Sequence, residues 1–187
     1  MSGAHPATIP TLPSLHALNE IPREEFAARL GPLFEDARLF LDRLAAERPF
    51  ADWDAFFDRA VEVALTMPEA DQVELLDGHV RLGADPTATR ARSESSYREQ
   101  GYDRPARAAG EPSADVGAEL ARLNDAYEAR FGFRYVVFVA GRSREELLPA
   151  MTAALDADRV DELERGLRAA VAIARDRWTK LSGVAGR

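Results

Sequence analysis

The chain has 187 residues, 46% of them hydrophobic and 30% charged, with a net charge of −8 and no cysteine. That length suits one domain with a buried core of its own. The acidic balance argues against a nucleic-acid partner, which needs a concentrated basic face, and the lack of cysteine excludes disulfides, thiolate zinc sites and cysteine nucleophiles.

Prolines at 6, 10 and 13 make the first 20 residues loose, so 1–17 are expected to form a flexible N-terminal lead-in and 18–187 a single helical domain. Neither a basic leader nor an apolar run opens the chain, and no stretch approaches the ~18 apolar residues of a membrane span. A cytoplasmic protein without a membrane partner is the expectation. From Pro22, a favourable first helical residue, Phe26, Leu30, Leu33 and Phe34 recur at helical spacing. Pro32 interrupts that run and predicts two short helices rather than one. Leu39, Leu41 and Leu44 continue the helical pattern up to Arg48-Pro49-Phe50. Asp52 is placed to cap a helix carrying Trp53, Phe56, Phe57, Ala60, Val61, Ala64 and Leu65 on one broad face. Pro68 starts another segment that runs towards Leu76.

Gly78, Gly83 and Pro86 punctuate the chain around His79, which predicts an imidazole at a helix end or turn. A short helix is expected around 94–101, then a surface loop over 101–112. Val116, Leu120, Leu123, Tyr127 and Phe131 define an amphipathic helix that Gly132 ends. Arg134 to Ala140 is rich in β-branched and aromatic residues but has no partner strand, so a buried extended segment fits as well as a sheet. Ser143 and Glu146 form a capping-box pattern, with Leu147, Leu148, Met151 and Leu155 inward. The last helix carries Val160, Leu163, Leu167, Val171, Ala174, Trp178 and Leu181. The predicted fold is all-α, a single-domain bundle of about eight helices with one short extended apolar segment.

His79 is the only histidine outside the N-terminal stretch that holds His5 and His16, and Glu99 follows it by 20 residues in the run Ser96-Tyr97-Arg98-Glu99-Gln100. On spacing alone, a glutamate in a short helix is a solvated side chain and a histidine beside glycine is a turn residue. A Ser-His-acid nucleophile lacks its Gly-x-Ser-x-Gly elbow, and a metal site lacks a second histidine at ligand spacing. Lys180 is the only lysine among 24 basic residues, and a lone lysine so near the C-terminal end is a poor candidate for Schiff-base chemistry.

Five passages nevertheless follow a familiar order. They are Leu18-Asn19 with Pro22 to Phe26, then Arg48-Pro49-Phe50, Gly78-His79-Val80-Arg81-Leu82-Gly83 and Ser96-Tyr97-Arg98-Glu99-Gln100. The fifth is Leu123-Asn124 through Tyr127 to Arg130-Phe131-Gly132-Phe133, running into the valine-rich segment. In this the chain resembles the 2-oxo-4-hydroxy-4-carboxy-5-ureidoimidazoline (OHCU) decarboxylase family of urate degradation, over most of its length from Leu18 to about Leu181.

The resemblance implies a cofactor-free carboxy-lyase that is a helical homodimer and turns a small ureido-imidazoline into (S)-allantoin. It gives His79 the proton-transfer role with Glu99 beside it as the second catalytic residue. Ser96 and Gln100 would orient the substrate, and the segment Tyr135, Val136, Val137, Phe138 and Val139 would close the pocket. Val80 would line the substrate site where the family carries proline, a residue that fixes φ and biases the histidine before it towards an extended conformation. That departure keeps open a divergent homologue acting on another ureido or imidazolone compound. A non-catalytic helical interaction module is the remaining alternative. Decarboxylation without a cofactor is chemically reasonable here, because the substrate's ring C=N can accept the electron pair that departing CO₂ leaves behind.

Overall fold

The computed structural model describes residues 12–103 and 114–182. Most of the expected lead-in and most of the loop expected over 101–112 lie outside the described residues. Among these residues there are ten α-helices and one 3-10 turn. The order is α1 Leu15–Glu20, α2 Arg23–Leu30, the 3-10 turn Gly31–Leu33, α3 Arg38–Ala46, α4 Trp53–Thr66 and α5 Glu69–Asp77. Then follow α6 Pro86–Arg92, α7 Glu94–Glu99, α8 Ala114–Phe131, α9 Arg144–Ala154 and α10 Arg159–Ser182.

The all-α expectation holds, and the count exceeds eight because α1 and α6 form where no helix was expected. In α1 the Ser14 hydroxyl accepts from the Ala17 N–H, and Leu15 and Leu18 are buried. In α6 the Asp85 side chain accepts from the Ala88 N–H, with Pro86 in the first turn. Both are ordinary start signals whose neighbouring prolines and glycines mask them in the sequence. The predicted break at Pro32 is the 3-10 turn, the Asp52 cap accepts from the Ala55 N–H, and Ser143 with Glu146 makes a full capping box.

Helix α10 is the spine of the molecule, packing on α4, α5 and the 3-10 turn, while α3 packs on α2, α4 and α5. The core between them is aromatic: Phe34, Phe40, Phe56 and Phe57 are buried, and Trp53 lies against Trp178 with ring centroids 4.9 Å apart. Full burial of each such side chain contributes roughly 1.5–3 kcal/mol. Two of the five sequence passages meet here. The Asn19 amide donates to the Phe50 carbonyl at 2.9 Å and accepts from the Phe50 N–H at 3.0 Å. Arg48 donates to the carbonyls of Leu18 and Ile21 and lies over the Phe26 ring. These residues tie α1 to the α3–α4 connection.

After Gly132, whose φ of 78° suits glycine, the chain bends at Phe133 and then runs from Arg134 to Val139 as neither helix nor strand among the described residues. Tyr135 and Val136 are buried, and Val137, Phe138 and Val139 are half-buried. Val160 is 68% exposed at the start of α10. Among the described residues no helix is long and apolar enough to cross a membrane.

Candidate active site

His79 lies just past the end of α5, where its N–H donates to the Leu76 carbonyl at 3.0 Å. Its Nδ1 is 3.0 Å from the Leu75 carbonyl. A carbonyl can only accept, so Nδ1 carries the proton and Nε2 presents a lone pair. That Nε2 is buried and has no hydrogen-bond partner among the described residues. Arg134 donates to the His79 carbonyl and Arg92 to the Gly78 carbonyl, so hydrogen bonds to side chains hold this turn. Burial brings the imidazole down to about 4, with Arg177 and Arg134 acting in the same direction and Glu35 opposing. At neutral pH His79 is therefore an uncharged proton acceptor.

Helix α7 supplies Ser96 and Glu99, with Gln100 at its C-terminal cap. Glu99 receives both arms of the Arg177 guanidinium, at 2.6 and 2.8 Å. Arg177 also donates to Glu35 at 2.6 Å and to the Leu33 carbonyl at 3.2 Å. The Ser96 hydroxyl donates to the same Glu35 oxygen at 2.8 Å. Burial pushes the Glu35 carboxyl up, but Arg177 and Ser96 outweigh it and leave it below the ordinary carboxylate value. Two carboxylates thus share one guanidinium in a buried cluster, a geometry that demands this degree of hydrogen bonding. The Gln100 amide donates to the Arg81 carbonyl and accepts from the Gly83 N–H, bracing the turn after His79.

All the residues singled out in the sequence converge on one cavity of about 370 Å³. His79, Val80, Ser96, Glu99 and Gln100 form one side, and Tyr135, Val136, Val137, Phe138 and Val139 contribute the extended segment. That segment is anchored by its carbonyls. Arg165 donates to Val136 at 2.8 Å, and Arg142 donates to Phe138 at 2.6 Å and to Val139 at 3.1 Å. Among the described residues the N–H groups of Val136 to Val139 find no acceptor. Unpaired amides lining a cavity are a ready site for the oxygens of a polar ligand. Arg165 also pairs with buried Glu162, stacks over the Tyr135 ring and leaves the Tyr127 hydroxyl donating to Glu162 at 2.7 Å. No three His, Asp or Glu side chains converge as metal ligands among the described residues.

Sequence reasoning missed Glu35 and Arg177, which sit behind the cavity wall, and Arg98, Asp176 and Lys180, which line it. Arg177 had a signal: it falls on the stripe Ala170, Ala174, Arg177, Leu181, an arginine in a row of apolar positions. Glu35 had none, since it occupies the break between helices at φ 51° and its partners are far along the chain. Lys180 was set aside for its place near the end of the sequence, yet α10 brings it to the cavity. Its ammonium pairs there with Asp176 and remains well exposed.

A family model described as OHCU decarboxylase matches residues 19–179. The chain is similar to the uric acid degradation bifunctional protein of Bacillus sp. (strain TB-90), 27% identical over 153 residues that make up 82% of this chain and 29% of that protein. It is similar to the 2-oxo-4-hydroxy-4-carboxy-5-ureidoimidazoline decarboxylase of Halalkalicoccus jeotgali, 27% identical over 165 residues, 88% of this chain and 89% of that one. The chain therefore spans less than a third of the bifunctional relative and most of the second. Its fold is like that in a crystal structure of OHCU decarboxylase in the presence of (S)-allantoin, with a TM-score of 0.61 and 23% identity over 79% of this chain and 92% of that chain.

Proposed function

The chain belongs to the OHCU decarboxylase family, and from that membership we propose that it decarboxylates 2-oxo-4-hydroxy-4-carboxy-5-ureidoimidazoline to (S)-allantoin, with His79 moving the proton. One observation carries the proposal: the lone pair of His79 Nε2 is buried, unpartnered and in the same cavity as Glu99 and the unpaired amides. The ureido N–H groups suit Glu99, whose carboxylate Arg177 holds in place, and the ring oxygens suit the amides of Val136 to Val139. Ser96 and Gln100 keep this wall in register, each having a polar group engaged with the protein. Part of the task of the family proline that Val80 replaces, fixing the turn around His79, is taken over by Arg134, Arg92 and Gln100.

The reaction needs little from the protein beyond orientation and one proton relay. When the bond from C4 to the carboxylate breaks, its electron pair becomes the C4=C5 bond. The C5=N pair moves onto the ring nitrogen, which takes up a proton from solvent. His79 Nε2 then accepts the proton of the 4-hydroxyl as C4 becomes a carbonyl, and returns it to C5. One CO₂ is lost, one proton is consumed overall, and His79 ends neutral as it began. Delivery to one face of C5 gives one enantiomer. A cytoplasmic location and a homodimer belong to the same proposal; the first rests on the sequence composition and the second on the family resemblance.

The test is His79→Ala assayed on freshly generated substrate, by allantoin circular dichroism and by far-ultraviolet dichroism of the protein. The variant should keep its helices and lose about 10²-fold or more in kcat, the usual contribution of a positioned acid–base group. Wild-type rate and enantiomeric excess in the variant would remove His79 from the mechanism.

A further inference from the structure

We propose that Lys180 is the residue that receives the substrate's carboxylate, at the rim of the cavity, by exchanging its contact with Asp176 for one with the ligand; this rests on the decarboxylase reading of the site. The placement follows from where charge sits. Behind the inner wall Glu35 and Glu99 share the single guanidinium of Arg177, and His79 is uncharged, so this part of the site holds a surplus negative charge. An anionic ligand must therefore turn its carboxylate away from that wall and present its N–H groups to it.

Among the described residues two cations line the cavity, Arg98 and Lys180, each 62% exposed. They differ in how they are held. Arg98 shares Glu94 with Arg90 in a ladder along α6 and α7, and Glu94 is not part of the cavity lining. Lys180 pairs with Asp176 at 2.5 Å, and both residues line the cavity. Asp176 and Lys180 bracket Arg177 on α10, so the buried ion cluster fixes the helix from which the lysine reaches. A lysine on a flexible stem can swing between two carboxylates with little rearrangement. Asp176 keeps Lys180 over the cavity until a ligand carboxylate displaces it. Without the lysine, Asp176 alone would face the substrate and repel it.

Allantoin separates this role from a general structural one, because it is the product, which keeps the ring and the ureido group but has lost the carboxylate. Lys180→Met should raise KM for the carboxylated substrate about five- to tenfold, the range expected of a solvent-accessible charge pair with one hydrogen bond, with kcat falling less than threefold. The inhibition constant of allantoin should stay within twofold of wild type, and Lys180→Arg should recover most of the lost affinity. An unchanged KM in Lys180→Met, or a parallel rise in KM and in the allantoin constant, would overturn the assignment while leaving the decarboxylase reading intact. A wild-type protein that neither turns the substrate over nor binds allantoin would sink both.

Discussion

In the proposed mechanism His79 is the base, a role that its surroundings suit. An imidazole in water titrates near 6.5, but this one is enclosed, donates its Nδ1 proton to a carbonyl and sits near two guanidinium groups. Protonation is disfavoured down to about 4, so the acceptor form persists well into acid. The acid limb of kcat/KM should accordingly fall well below pH 6. At pH 5.5 the enzyme should retain nearly all of its plateau rate, about 97%, whereas an imidazole of ordinary basicity would leave about one-tenth. Initial rates between pH 4.5 and 8, after verifying that the protein remains folded, decide between these outcomes. A midpoint near 6.5 would mean that His79 is exposed to solvent in the working enzyme.

The extended segment is the element on which the cavity depends most, and it is held from outside. Arg165 binds the Val136 carbonyl, covers the Tyr135 ring and neutralises Glu162, which is 5% exposed. Arg165→Met should lower the unfolding free energy by about 3 kcal/mol, because it leaves the buried Glu162 carboxylate with only the Tyr127 hydroxyl, and should also raise KM by loosening the segment that lines the cavity. Arg165→Lys should recover part of the stability but less of the KM, since an ammonium cannot reproduce the planar fork. Urea unfolding alongside steady-state kinetics reads both effects. An undiminished stability in Arg165→Met would show that Glu162 is not held as described. At this scale the sequence was a good guide where apolar periodicity was long, as in α4, α8 and α10. It was a poor guide in α1 and α6, where capping residues stand among helix-breaking neighbours. The cavity-lining residues of α7 and the extended segment were legible through their order along the chain. Glu35 was not, because a residue between two helices acquires meaning only from partners that the fold delivers.

For the molecule as a whole, the buried neutral histidine makes stability depend on pH. His79 binds a proton less readily in the folded chain, at about 4, than in the unfolded chain, near 6.5. The unfolded state therefore holds more protons between these values, and stability falls as pH drops through that window, while above it His79 contributes no pH dependence. Between pH 7 and pH 5 the loss from this group should be about 2 kcal/mol, or roughly 4–8 °C in the melting temperature of a domain this size. Thermal melts at the two pH values measure it, and coincident melts would contradict a buried neutral imidazole. Below the ordinary carboxylate range, protonation of Glu35 adds a further loss. The cluster to which Glu35 belongs has another consequence. Glu35 and Arg177 stand 142 positions apart in the chain, and Glu99, between them, has no other cation within reach among the described ion pairs. Under the proposed mechanism, catalytic competence therefore cannot mature locally, like a loop or a hairpin. It arrives only when the last helix has docked against the first third of the chain, which makes turnover a reporter of completed folding.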